Sequence, residues 1–298
     1  LYCSNNQLST LDVSQNPALY YFYCSYNQLS TLDVSQNPAL YRLNCSNNQL
    51  STLDVSQNPD LVILNAENNQ ITSINLDTNI NLVDLRLGYN QLTSLDVSNN
   101  TALTYLWCFL NQLTTLDVSN NTNLIWLACQ KNNLSILDVS NNIALNKLDC
   151  HNNLLTSLDV SSNINLTRLQ CSNNQLISLD VRNGNNINML ENWFDFLTMN
   201  NPQLFCIDVD DVVWSDTNWT VANGNIDSTM SFSTNCPVLF GCTDTLACNY
   251  DSIAIISDSS CVYSLSSIDS VGTFCDSYTW IDGITYNSSN NIATYVYV

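Results

Sequence analysis

Along residues 1–186, hydrophobic and polar positions alternate in a phrase that returns every 21 residues. The unit reads L-x-x-L-x-C-S-x-N-Q, then L-x-x-L-D-V-S-x-N-x-x, two related halves of ten and eleven residues. In each half the apolar residues at the fourth and sixth places flank a polar one, the period of two expected of a β-strand. Neither half has helical spacing, and strong helix formers are few. A coil with a single apolar face is not stable alone and must stack on its neighbours. The pattern predicts a flattened β-solenoid of nine coils with short parallel strands on both sides.

Two asparagine ladders keep the same period, one from Asn6 through Asn90 to Asn174, the other from Asn16 through Asn79 to Asn163. They are expected to turn inward and bond backbone groups left unpaired at the corners. Cys3, Cys24, Cys45, Cys108, Cys129, Cys150 and Cys171 share one repeat position, which Ala66 and Leu87 fill elsewhere. That makes it a small apolar core seat. Residues stacked in register stand about 4.8 Å apart, beyond the roughly 3.5–4.5 Å between Cβ atoms of a disulfide, so free buried thiols are expected.

The column Asp12, Asp33, Asp54, Asp96, Asp117, Asp138, Asp159 and Asp180, broken by Asn75, alternates with buried residues and points outward. Ca²⁺ is the one cofactor it suggests. Single carboxylates per coil supply too few oxygens for the roughly 6–8 that Ca²⁺ takes, so a solvated stripe is the expectation, with no cofactor and no metal site.

The two faces of the repeat behave differently. LSTLDVS recurs on one with little change, whereas the other changes at its outward positions in every coil. Five of the six basic residues lie on this variable face, with Arg182 elsewhere. Tyr89, Tyr105, Trp107, Phe109 and Trp126 gather on three adjacent coils, with Tyr21, Tyr23, Arg42, Arg86 and Lys147 further along. Aromatic rings with arginine are the usual material of binding hot spots, and these ten residues form the candidate ligand-binding set. Drift in so polar a chain would favour Ser, Asn and Thr instead.

Charge narrows the partners. With 26 acidic and 6 basic residues the formal net charge is −20, against nucleic acid and anionic membrane surfaces. No apolar run reaches the roughly 18 residues of a membrane span, so direct membrane insertion is not expected. The single histidine, His151, stands where other repeats carry serine and reads as a repeat variant, leaving no catalytic residue to nominate. The chain opens in mid-repeat and is read as part of a larger polypeptide.

The repeat resembles the leucine-rich repeat, in its short 21-residue bacterial class, over residues 1 to about 186. NPQLFCIDVDD and TNW within 187–240 resemble the terminal cap of secreted bacterial proteins of this family. That resemblance makes Cys206–Cys236 the expected capping disulfide. The acidic group Asp208, Asp210, Asp211 and Asp216 reads as an exposed loop. GCTDTLACNYDSIAIISDSSC, within 241–264, resembles a cysteine module of secreted surface proteins. It makes Cys242–Cys261 the preferred bridge and leaves Cys248 and Cys275 open. Residues 265–298, with a turn signal at Asp282-Gly283, resemble the start of a β-sandwich-like surface repeat. The resemblance implies a secreted or surface-anchored bacterial protein, outside the cell or on its outer surface and exported by type IX secretion.

The function expected is non-catalytic binding or adhesion, with a protein or glycan held on the variable strand face. The alternatives are a structural stalk and a substrate-capturing module of a secreted polysaccharide-active enzyme.

Overall fold

The computed structural model describes residues 1–189, 195–237, 240–250, 254, 256–257, 261–262, 278–279 and 285–286. They fall in two units, Leu1–Cys236 and Pro237–Val298. In the first, three-residue strands line the variable face: β1 (Tyr21–Tyr23), β2 (Arg42–Asn44), β3 (Ile63–Asn65), β4 (Asp84–Arg86), β5 (Tyr105–Trp107), β6 (Trp126–Ala128) and β7 (Lys147–Asp149). With β9 (Arg168–Gln170) and β11 (Phe196–Leu197) they form a nine-stranded parallel front sheet. Each front strand from β1 to β7 pairs with the copy of itself 21 residues on, as in Leu85↔Leu106↔Leu127. A single bridge, Tyr2↔Tyr23, adds the first coil.

The back is less regular. Its strands are β8 (Ser157–Asp159), β10 (Ser178–Asp180), β12 (Cys206–Asp208) and β13 (Ser231–Ser233), a four-stranded sheet confined to the last coils. In the early coils and in β8 alike, the aspartate draws the serine N–H into a local turn, as from Ser14 to Asp12 at 2.9 Å and from Ser161 to Asp159 at 2.8 Å. Backbone bonds such as Gln28 N to Leu8 O at 2.8 Å tie successive coils there.

One continuous core fills the space between the faces, built from the strand-centre leucines, the Val of LDVS and the cysteine column. All seven repeat cysteines are free thiols, and all but Cys3 are buried. Burial pushes Cys45, Cys108 and Cys171 up to about 12. They are neutral packing groups at ordinary pH.

The asparagine ladders supply the corners. Asn90 donates to the carbonyls of Ala66, Leu87 and Gly88 at 3.0–3.3 Å and accepts from Ile71 N at 2.9 Å. Asn79, in the second ladder, donates to Val55 O and Asn58 O at 3.0 and 2.9 Å. Ladder residues such as these join neighbouring coils by adding a side-chain donor to corner carbonyls and, in the first ladder, an acceptor for a buried N–H.

After Val181 the phrase decays but both sheets continue. Helix α1 (Val212–Asn218) starts on an N-cap from Asp211, which accepts from Trp214 N at 3.0 Å. Trp219, fully buried, stacks on Phe196 at 3.8 Å and closes the last apolar face. Cys206–Cys236 is a disulfide beside it.

In the second unit Cys242 is bonded to Cys261, and Cys248 is also disulfide-bonded. Strand β14 (Phe240–Gly241) pairs in parallel with β15 (Ile256–Ser257). Strand β16 (Tyr278–Thr279) pairs antiparallel with β17 (Thr285–Tyr286). The turn signal at Asp282-Gly283 and Cys275 lie outside the described residues, as does most of the sandwich-like segment at 265–298. No helix among the described residues is long and apolar enough to cross a membrane.

Candidate functional site on the variable face

Each three-residue front strand buries its central residue, Phe22 in β1 and leucine in the others, and sets one row of residues on each flank across the sheet. One row reads Asp84↔Tyr105↔Trp126↔Lys147↔Arg168, the other Arg86↔Trp107↔Ala128↔Asp149. These rows interlock. Arg86 grips Asp84 with two bonds of 2.9 and 2.8 Å and lies 4.1 Å from the centre of the Trp107 ring. Trp107 meets Trp126 edge to face at 5.0 Å, beside the small Ala128.

On the far side Lys147 lies 4.9 Å over Trp126, whose Nε1 donates to Asp149 at 3.1 Å. Arg168 donates to the other oxygen of Asp149 at 2.9 Å. The cations expected to meet a ligand thus already have partners. The bonds to Asp84 raise the affinity of Arg86 for its proton, and Arg42 donates to the Tyr23 hydroxyl at 3.0 Å. Their charge braces the indoles and phenols instead of standing free.

A second group lies at the C-terminal edge of the strands. The Phe109 ring rests on the Gly88 backbone, where a Cβ would come within 2.7 Å of ring carbons. Gly88 occupies the position of Ser25 and Ser46, so the glycine makes room for Phe109. Tyr89 meets that ring edge-on at 5.4 Å and is 53% exposed.

Every coil places its next residue in the left-handed region, from Asn5 at φ 59° to Asn173 at φ 55°. Five of the nine residues in this column are asparagine, which accepts such a backbone readily. Tyr26, Tyr89, Leu110 and Lys131 hold it at φ 51–57°, where a bulky side chain is strained by about 1 kcal/mol. They also forgo the side-chain bond that Asn68 makes to Asn47.

The expected residues therefore divide into three neighbourhoods. Arg86, Trp107, Trp126 and Lys147 form one interlocked cluster across the two rows, with Tyr105 exposed beside it. Tyr89 and Phe109 form the edge pair. Tyr21, Tyr23 and Arg42 stand apart in the first coils, where Tyr2 stacks on Tyr23 at 4.9 Å. Sequence reasoning passed over Gly88, whose clue was a repeat serine lost one coil before Phe109. It also passed over Tyr20 and Tyr41, which stack at 5.0 Å just ahead of β1 and β2.

The back face has different chemistry. Each aspartate from Asp12 to Asp159 accepts the N–H two residues on, at 2.8–2.9 Å. These bonds hold the carboxyls of Asp12, Asp33 and Asp54 below their usual range. Asn75 makes the same turn with Asp77 N at 2.8 Å, which explains the single break in the column.

In the cap, Asp208 accepts from Cys236 N, Asp210 from Gly184 N, and Asp211 caps α1. Among the described residues, no three metal-binding side chains converge. His151 is half-buried, and burial holds its imidazole below the usual range.

No protein-family model matches the chain, and no curated protein matches it. Solved structures do. The functional domain of InlJ from Listeria monocytogenes, which includes a cysteine ladder, is similar at 27% identity and a TM-score of 0.52, over 70% of this chain and 58% of its own. A leucine-rich repeat protein of Leptospira interrogans matches at 24% identity and TM-score 0.62, over 76% and 59%. An internalin of Listeria monocytogenes matches at 23% and 0.54, over 76% and 71%. The fold is thus a parallel-strand leucine-rich repeat solenoid of about ten turns, and these three structural neighbours are bacterial. The chain spans 58% and 59% of the length of the first two.

Proposed function

We propose that the variable face is a non-catalytic binding surface for a protein partner, centred on Tyr89, Tyr105, Trp107, Phe109, Leu110 and Trp126. The observation that carries this reading is the left-handed column. Tyr89, Leu110 and Lys131 occupy it on three successive coils, where asparagine would be less strained and the fold requires nothing larger. Backbone strain kept at adjoining positions is a mark of function. The interlocked indoles and cations beside it form a rigid surface, which loses little side-chain entropy on docking.

The disulfides Cys206–Cys236 and Cys242–Cys261 favour an oxidising, extracellular setting. Similarity to InlJ and internalin domains agrees with placement at a bacterial surface. Export by type IX secretion, the four-part division of the chain and its membership of a longer adhesin belong to the same proposal.

Binding of the labelled chain to an array of extracellular proteins tests it. The triple variant Tyr89→Asn, Leu110→Asn, Lys131→Asn restores the repeat's own residue, and it is expected to fold and to lose its partner. Binding that survives both this variant and Trp107→Ala would favour a stalk, a reading that the ion pairs Arg86–Asp84 and Arg168–Asp149 also suit.

A further inference from the structure

Beside the front sheet, one residue ahead of each strand, runs the column Tyr20, Tyr41, Val62, Val83. Its backbone is fixed. Tyr41 N and Arg42 N both donate to Tyr20 O at 3.0 and 3.2 Å, and Val62 N and Ile63 N to Tyr41 O at 2.9 and 3.2 Å. Tyr20 and Tyr41 stack with their planes 10° apart, and Tyr21 packs edge-on against both. Beyond Tyr41 the column steps down from rings to Val62 and Val83, so the stack ends and a groove of about 460 Å³ opens. Asp60 and Asn81 line it as well. Asn81 donates to Pro59 O at 3.1 Å, which fixes its carboxamide and leaves the oxygen as an acceptor.

The geometry points to a binding site for a neutral pyranose unit of a glycan, stacked on the Tyr41 ring over Val62 and Val83. It is separate from the aromatic edge and does not depend on the protein-binding reading. The axial C–H groups of a pyranose carry partial positive charge and suit the negative face of an aromatic ring. The valines offer an apolar floor, and Asp60 and Asn81 accept hydrogen bonds from ring hydroxyls. Small-ligand sites combine these features within volumes of roughly 300–1,000 Å³.

Charge decides which sugar enters. Asp60 at the groove, on a chain of net charge −20, repels sulfated and carboxylate-bearing residues. An extended peptide fits poorly, because the amides of Tyr41, Val62 and Val83 are all spent between coils and offer no strand pairing.

The intact chain is titrated with neutral, sulfated and sialylated oligosaccharides, with binding read by calorimetry and saturation-transfer NMR. Neutral members are expected to bind and anionic ones not. Tyr41→Ala is expected to weaken binding by about tenfold or more, and Tyr41→Phe by no more than about twofold. Since Tyr41→Ala also breaks a stacked pair, Val62→Trp serves as a second variant. It fills the groove, leaves the stack in place, and is expected to abolish binding while the circular dichroism spectrum is unchanged. The proposal is overturned if no neutral oligosaccharide binds up to about 10 mM, or if anionic ones bind equally well. It is equally overturned if neither variant alters the affinity, or if Val62→Trp removes only a protein partner.

Discussion

On the back of each coil the phrase LDVS hardly varies, and its polar side chain is consumed within the coil, Asp to Ser. On the front the same backbone economy holds at the centre of each strand, but the flanking residues are left free. There they have diverged into rings and cations that contact the next coil: Arg86 on Trp107, Trp107 on Trp126, Phe109 on Gly88. Both faces stand on the same core and the same ladders. The difference teaches that divergence in this repeat is confined to positions where the solenoid demands nothing, with one exception. The left-handed column does make a demand, and four coils override it.

Substitutions test how far this separation holds. The ladders serve both faces, so their loss is expected to cost most. Asn90→Ala removes four hydrogen bonds, among them the one that satisfies the buried Ile71 N–H, and is expected to destabilise by roughly 4 kcal/mol. Asn79→Ala, which removes two bonds, is expected to cost about half as much. Urea unfolding of both variants measures the pair, and equal costs would mean that the two ladders contribute alike.

Within a single strand, Leu106→Ala is expected to lose about 3 kcal/mol, as a fully buried leucine does. Its neighbour Trp107→Ala is expected to lose about 1 kcal/mol, mostly ring contacts at a half-buried position. A Trp107 cost matching that of Leu106 would make the front rings structural, and the contrast between inward and outward places would fail.

The sign reverses at the left-handed column. Leu110→Asn and Tyr89→Asn are each expected to stabilise by about 1 kcal/mol, seen as a higher Tm. Lower stability in either variant would show that these side chains contribute packing that outweighs their backbone strain. The smallest effect belongs to the back face. Asp117→Asn keeps an acceptor for Ser119 N, as Asn75 does naturally for Asp77, and the melting temperature is expected to stay put.

Most of the fold was legible in the chain because a repeat carries its own neighbours. The residue stacked on Leu85 is Leu106, and on Leu106 is Leu127, so period and inward places follow from spelling alone. The same logic identified the free cysteines and the inward asparagines. The back face was less legible: strand-like alternation there yields paired strands only in the last coils. Spelling reveals an extended backbone, but not which coils bring their back segments into paired register.

Of the binding face, the sequence revealed where the aromatics gather, but not how they are held. Arg42 and Arg86 looked like free charges because their partners, Tyr23 and Asp84, lie beside them on the folded surface. Tyr20 and Tyr41 escaped attention because a column one residue before the strand has no clear inward or outward sense.

By itself, then, the sequence determined the coil, its register, its core and the places open to change, since all of these follow from a period of 21 and from which side chains water rejects. Only the tertiary structure decided which rings meet, which cations are already spent, and which residues bear a left-handed backbone. Those outcomes depend on side-chain direction and on diagonal contacts between coils, as with Phe109 over Gly88, and a linear period does not encode them.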